Sequence, residues 1–276
     1  MLQKEGVTAY FGCISTDKYG EILEKCASQD GVLGHFMKVK DVATGTCAVC
    51  IVEKERCDVC MYCILKKSLV ANLSAANKFD PSHLKDSTSQ EILSNARIVY
   101  SAGFFLTVSP ESALICAEHC LAKDKAYAMN FSAEFIVEFF KDRVLALIPY
   151  ATHIFTNKDE VKKFVRDSPR VGRKDFFFFL VQTKNKFSLI VTQGSSSVLI
   201  ARDGKSKEYP VEKIPAEKIV DTNGAGDAFV GGFLFGLAEG KSEEECVNAG
   251  CYAAQVIIQT SGTRLSGKPK FVFKTK

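Results

Sequence analysis

The run Val220-Asp221-Thr222-Asn223-Gly224-Ala225-Gly226-Asp227-Ala228-Phe229-Val230-Gly231-Gly232 carries the most legible chemistry of this chain. A β-branched approach, a Gly-Ala-Gly turn and an apolar run with helical spacing describe an extended segment, a tight loop and a helix amino terminus. The free N–H groups of such a terminus, backed by the helix dipole, face whatever anion stands before them, and phosphate is the natural guest. Small residues at Gly224, Ala225 and Gly226 let the backbone approach the anion's oxygens. Asp227 breaks the pattern. A carboxylate beside an anion site is electrostatically unfavourable unless it removes a proton from an attacking hydroxyl. The combination points to phosphoryl transfer to an alcohol. The plain alternative is an acidic first-turn residue, favoured by the dipole and without a catalytic task.

A second constellation is made of thiols. Cys47-x-x-Cys50 is followed, six residues later, by Cys57-x-x-Cys60-x-x-Cys63, the knuckle spacing of a thiolate zinc site. Six residues are shorter than the usual separation of such pairs. Side chains three apart on a strand also point to opposite faces, so Cys47 and Cys50 fit a zinc site poorly. Ordinary reduced thiols are the expected reading.

The elements that must position these residues alternate in type. Strands are predicted at Val7 to Phe11, Cys47 to Val52, Ser68 to Leu73, Ile98 to Ala102, Ala126 to Phe131, His153 to Thr156, Ser188 to Thr192 and Val198 to Arg202. Helices are predicted at Tyr19 to Ser28, Ser109 to Leu121, Phe135 to Ala146, Ala225 to Glu239 and Ser242 to Gln259. Such alternation predicts an α/β fold with a mainly parallel sheet covered on both faces and ligands at the carboxyl ends of its strands. Two segments interrupt it: Cys57 to Lys67, within an otherwise compact hairpin, and Val171 to Lys186, which holds the run Phe176-Phe177-Phe178-Phe179.

Composition excludes several classes. With 276 residues, 46% of them hydrophobic, the chain can bury a substantial core and is not disordered. A net charge of +4 from 36 basic and 32 acidic residues is too thin for a nucleic-acid footprint. The longest uncharged apolar stretch, Ala228 to Ala238, has eleven residues and cannot cross a bilayer. A charged amino terminus and eleven cysteines, an odd number, suit a reducing, cytoplasmic setting, with nuclear residence as the alternative. The basic tail from Lys268 to Lys276 reads as a solvated end.

The run Asp221 to Phe233 resembles the carboxyl-terminal signature of the ribokinase-like, phosphofructokinase-B-type kinases. Gly103-Phe104-Phe105-Leu106-Thr107-Val108-Ser109-Pro110-Glu111-Ser112, Ala71-Asn72-Leu73-Ser74-Ala75-Ala76-Asn77, Thr44-Gly45-Thr46-Cys47 and Thr192-Gln193-Gly194 are similar to the adenosine-phosphorylating members of that family. The resemblance implies a three-layer αβα sandwich in one domain over residues 1–276, with a small β lid at about 44–77. It implies transfer of the ATP γ-phosphoryl to the adenosine 5′-hydroxyl, giving AMP and ADP in purine salvage, by a monomer using Mg2+ with ATP and potassium as a monovalent cation. By position, Asp227 is the base and the amides of Gly224, Ala225 and Gly226 form the anion hole. Asn157 and Glu160, with Asn223, organise magnesium and phosphate; an N-cap at Asn157 with Glu160 at N3 explains that spacing equally well. Thr192, Gln193, Gly194, Cys251 and Ala254 border ATP. Phe105 and Phe135 pack on adenine, Leu69, Ala71 and Leu73 close over it, and Asp221 lies near the monovalent cation or orders the loop.

The same resemblance implies departures. It begins after the family's first strands, its amino-terminal Asp and its Gly-Gly motif, residues that grip the ribose. The expectation is a chain truncated at its amino terminus, with Met1 an internal methionine and the two irregular segments translated intron. The alternative function is then an impaired remnant that keeps nucleotide binding alone. The family's hairpin turn is short, without a counterpart of Cys57 to Lys67, and supplies an arginine near the phosphates that Arg56 or Lys67 would replace here.

Overall fold

The computed structural model describes residues 2, 4, 6–52, 66–166, 187–263 and 270–273. Cys57, Cys60, Cys63 and Arg56, and the run Phe176 to Phe179 with the rest of Val171 to Lys186, lie outside these residues, as does the question of a zinc site built on them. The chain divides into two compact units, Lys4–Lys85 and Asp86–Lys276 with Met1–Gln3.

In the first unit, β1 (Thr8–Ser15) and β2 (Val32–Val39) pair in parallel across the helix α1 (Lys18–Gln29). β3 (Thr46–Val52) and β4 (Lys66–Asn72) form the expected hairpin, with Cys47 opposite Ala71 and Cys50 opposite Ser68. Asp17 ties these pieces together. Its Oδ1 accepts from the Gly20 amide at 2.9 Å, capping α1, and from the Thr44 hydroxyl at 2.6 Å, while Oδ2 accepts from the Thr44 amide at 2.9 Å. Thr44 in turn accepts from the Ser15 amide at 3.0 Å. Led by the Thr44 hydroxyl, these donors hold the Asp17 carboxyl below the usual carboxylate range. Large apolar side chains of this sheet stay exposed, Tyr10 at 58% and Leu33 at 51%. A parallel sheet usually buries both its faces; this pair does not.

The second unit is built on a six-stranded sheet of order β10-β9-β8-β7-β6-β5. β5 (Ile98–Ser101), β6 (Ala126–Asn130), β7 (His153–Asn157) and β8 (Ser188–Thr192) are parallel; β9 (Val198–Arg202) pairs antiparallel with β8, and β10 (Lys205–Tyr209) antiparallel with β9. The helices are α2 (Ser87–Asn95), α3 (Phe105–Val108), α4 (Pro110–Ala122), α5 (Glu134–Phe139), α6 (Lys141–Leu147), α7 (Lys158–Arg166), α8 (Ala225–Ala238) and α9 (Glu243–Ile258). Alternate residues of the central strands bury opposite faces. Ala128, Phe155 and Ile190 pack with Phe229 and Phe233 of α8 and Val247 of α9. Tyr127 points the other way, beside Cys116 and Cys120 of α4, which covers β5 and β6. The result is the expected three-layer α/β arrangement.

Departures from the predicted elements have local causes. The helix expected over Phe135 to Ala146 is two pieces, because Phe140 leaves helical geometry at φ −118°, ψ 25°. The break coincides with two anchors on α6: the Lys141 ammonium donates to the Phe164 carbonyl at 3.0 Å and the Arg143 guanidinium to the Leu106 carbonyl at 2.6 Å. β2 contains Gly34 and lacks clean alternation, and β10 is a polar edge strand whose one buried side chain is Tyr209. α2 is rich in Ser, and its start is set by the Asp86 cap at 2.7 Å from the Ser89 amide. The carboxyl-terminal tail is not simply solvated. Phe273 stacks on Phe235 with centroids 5.4 Å apart, Phe271 meets Tyr252 at 5.1 Å, and the Lys270 amide donates to the Tyr252 hydroxyl at 2.9 Å.

Candidate active site

Most of the residues singled out in sequence lie in the second unit, at the ends of β5 to β8 and in the loops after them, at the start of α8 and on α9. α8 is set in place by close packing on α9. A Cβ on Gly232 would stand 2.3 Å from the Ala249 carbonyl oxygen, and one on Gly250 would stand 2.8 Å from that of Phe229. No larger residue fits at either position without separating the helices. Their contact fixes the direction in which the first turn of α8 points.

Gly224 is the N-cap of α8 at φ +71°, a conformation glycine adopts without cost. A Cβ there would also approach the Thr263 methyl at 2.9 Å. Gly226 is different, since a Cβ would meet nothing within 4 Å. The Ala225 amide makes one long bond, 3.5 Å, to the Thr222 carbonyl, and the next helical bond is Ala228 to Gly224 at 2.8 Å. Between them, the amides of Gly226 and Asp227 have no backbone acceptor among the described residues. This is the unsaturated turn that an anion site needs. Asp227 stands in the same turn, exposed to solvent, and desolvation by the surrounding protein raises its carboxyl above the usual range. Upstream, the buried Asp221 accepts from the Asn223 amide at 2.8 Å, so that carboxylate orders the loop.

Asn157 ends β7 and caps α7. Its Oδ1 accepts from the Asp159 and Glu160 amides, each at 2.9 Å. In return Glu160 Oε1 accepts from Asn157 Nδ2 at 2.7 Å, and Oε2 accepts from the Asn157 amide and the Thr156 hydroxyl at 3.0 Å each. The spacing is thus a reciprocal capping box. Glu160 is nevertheless 4% exposed, and burial raises its carboxyl despite these donors. A cap alone needs no buried charge.

After β5, the Gly103 amide donates to Asn130 Oδ1 and Ser132 Oγ, both at 2.8 Å, and a Cβ at Gly103 would stand 2.6 Å from the Asn130 carbonyl oxygen. This clamp joins the loops after β5 and β6. It brings Phe135 to an aromatic partner. Phe135, 43% exposed, pairs with Phe104, 47% exposed, with centroids 5.9 Å apart, whereas Phe105 is half-buried at the start of α3. Phe104 was legible only as one of two adjacent aromatics, and the backbone turn decides which faces out.

Thr192, at the end of β8, donates through its hydroxyl to the Thr156 carbonyl at 3.3 Å. Gln193 Nε2 donates to the Ser197 carbonyl at 2.9 Å across the turn into β9, and Gly194 takes φ +63° there. Cys251 and Ala254 are partly buried against the core that α8 and α9 share. Burial pushes the Cys251 thiol up to about 11, so it is an inert wall rather than a nucleophile. Leu69, Ala71 and Leu73 belong to the first unit, on β4 and just after it, with Ala71 and Leu73 exposed; the side chain of Leu69 lies outside the described residues.

Among the described residues no helix is long and apolar enough to cross a membrane. The chain matches the model of the pfkB family of carbohydrate kinases over residues 1–270. It is 46% identical to adenosine kinase 1 of Arabidopsis thaliana over 98% of its own length and 78% of the relative's. It superposes at a TM-score of 0.88 on the crystal structure of Anopheles gambiae adenosine kinase in complex with P1,P4-di(adenosine-5) tetraphosphate, with 36% identity over 98% of this chain and 79% of that one. The Schistosoma mansoni adenosine kinase in complex with 2-fluoroadenosine gives a TM-score of 0.88 at 27% identity, over 96% of this chain and 77% of that one. With a family model matched nearly end to end and a relative sharing almost half its residues, this chain belongs to the pfkB family of kinases, among the adenosine kinases.

Proposed function

We propose that the chain transfers the γ-phosphoryl group of ATP to the 5′-hydroxyl of adenosine, with Asp227 as general base. The 5′-oxygen forms the new bond to phosphorus as the bond to the β–γ bridging oxygen breaks; the hydroxyl proton passes to Asp227, and AMP and ADP leave. The observation that carries this reading is the first turn of α8, where amides without a backbone acceptor stand beside an exposed carboxylate. Amides aimed at the transferred group stabilise charge that develops in the transition state, and a carboxylate raised by desolvation is a better base than a solvated one.

Gly224, Ala225 and Gly226 are assigned to the anion hole, and Phe104 with Phe135 to the face of the adenine ring, an apolar slot that favours a purine over a bare sugar. Thr192, Gln193, Gly194, Cys251 and Ala254 are assigned to the ATP side. Magnesium fits the oxygen donors of Asn157 and Glu160: a buried carboxylate whose Oε1 holds one protein donor retains lone pairs for a water of a hard cation's shell. When bound with ATP the ion supplies charge neutralisation to the phosphates. Potassium suits the buried oxygen of Asp221, and a monomeric, cytoplasmic enzyme belongs to the same reading.

The test is conversion of adenosine to AMP with γ-labelled ATP, comparing the parent chain with Asp227→Asn. Labelled AMP from the parent and its formation about a hundredfold or more slower in the variant is the expected result. Equal product from both would overturn the assignment of the base.

A further inference from the structure

The hydroxyl of Tyr100 is buried and has no hydrogen-bond partner among the described residues. Tyr100 lies on β5 opposite Ala128, and its ring packs against the cluster that contains Phe229 and Phe233 of α8. Buried polar groups in folded proteins are almost always paired, so one that is not calls for an explanation. Burial opposes loss of the Tyr100 proton most strongly, followed by the charges of Asp227 and then Glu160. Both are carboxylates, which when ionised only accept. The oxygens of Glu160 already receive Asn157 and Thr156. The Asp227 carboxylate has no such bond among the described residues, and desolvation alone shifts it. The orphan donor packs on the cluster that includes Val230, three residues along α8 from the unengaged acceptor and on the same side of that helix.

We propose that Tyr100 is a positioning residue for phosphoryl transfer: its O–H donates to the Asp227 carboxylate in the substrate-bound protein, holding one oxygen so that the other faces the attacking hydroxyl. The inference rests on Asp227 being the base. Rotation of the Asp227 side chain within its exposed site supplies the movement, and the Tyr100 ring, packed on the core cluster, stays where it is. A donor on the ionised carboxylate favours the charged form and thus opposes the effect of desolvation. The base remains ionised at lower pH than its burial alone would allow. Other titratable groups on this face act farther along α8: His153, against Phe233, is pushed down to about 4 by burial and Arg202, and Tyr209 is bonded to Glu243.

Tyr100→Phe in the full chain is the test. It is expected to lower kcat about ten- to a hundredfold, as loss of a hydrogen bond to a charged group does, and to leave KM for adenosine within about twofold. The acid limb of kcat moves up by about half to one pH unit. A readout independent of turnover is the carboxyl resonance of Asp227 in 13C-aspartate-labelled protein saturated with adenosine, assigned by its loss in Asp227→Asn. It is expected to titrate at higher pH in Tyr100→Phe than in the parent. The same midpoint in both proteins overturns the proposal, as does an unchanged kcat with an unchanged acid limb. Turnover that survives Asp227→Asn sinks the base assignment instead, and the resonance comparison still decides whether the two side chains bond.

Discussion

Asn157 and Glu160 hold each other: the Asn157 side-chain oxygen accepts from the Glu160 amide at 2.9 Å, and the Glu160 carboxylate accepts from the Asn157 amide at 3.0 Å and from its side-chain nitrogen at 2.7 Å. One pair of residues therefore serves a helix start and, in the proposed function, the cation that accompanies ATP. The two roles separate by mutation. Asn157→Ala removes the cap and is expected to cost about 1–2 kcal/mol, or a melting point lower by roughly 2–6 °C. Glu160→Gln keeps the shape and relieves a buried charge, so its melting point should change less while the apparent affinity for magnesium-ATP falls. Calorimetric melting beside nucleotide titration checks both, and equal effects on melting would refute the separation.

Asp227→Asn is expected to lower kcat by about a hundredfold or more, the usual contribution of a positioned base. Because desolvation raises the Asp227 carboxyl in the folded state, the ionised form there works against folding. The sign follows: this destabilisation is absent below the unfolded carboxyl pKa and grows as pH rises through the folded one. At neutral pH the Asn variant should melt no lower than the parent. In the parent, kcat should fall at a pH above that of an ordinary aspartate. A pH–rate profile and melting curves measure the two effects.

Gly226→Ala isolates the anion hole from the fold. Among the described residues the added methyl meets nothing within 4 Å beyond its own turn of helix, and alanine is favoured over glycine in a helix by about 1 kcal/mol. The variant should be as stable as the parent or more so, yet bind the transferred phosphate less well, since the methyl occupies space the oxygens need. Gly224→Ala should destabilise instead, because φ is +71° and Thr263 is 2.9 Å away. Finding both variants equally stable would contradict the geometry of the turn.

The aromatic pair is tested by comparing Phe104→Ala with Phe105→Ala. Loss of Phe104 removes an exposed ring 5.9 Å from Phe135 and should raise KM for adenosine about tenfold with little change in melting. Loss of the half-buried Phe105 should lower melting first. Steady-state kinetics and thermal unfolding of the two variants decide which ring serves the nucleoside.

Local chemistry along the chain determined a good deal by itself. The Gly-Ala-Gly turn with Asp227, the α8 and α9 boundaries and the parallel strands β5 to β8 follow from capping, dipole and periodicity, interactions that span at most a few residues. The Asn157 to Glu160 spacing is equally local, which is why the cap reading and the magnesium reading were inseparable in sequence. Edge strand β10 and helix α2 were hidden because their polar residues satisfy backbone and cap rather than core. Tertiary structure alone decided the rest. Which of Phe104 and Phe105 faces Phe135 depends on the clamp between Gly103, Asn130 and Ser132, and the burial of the Tyr100 hydroxyl depends on how the core cluster packs around its ring. Both are set by contacts between strands and helices distant in the chain, where register and close packing, not propensity, choose the partner.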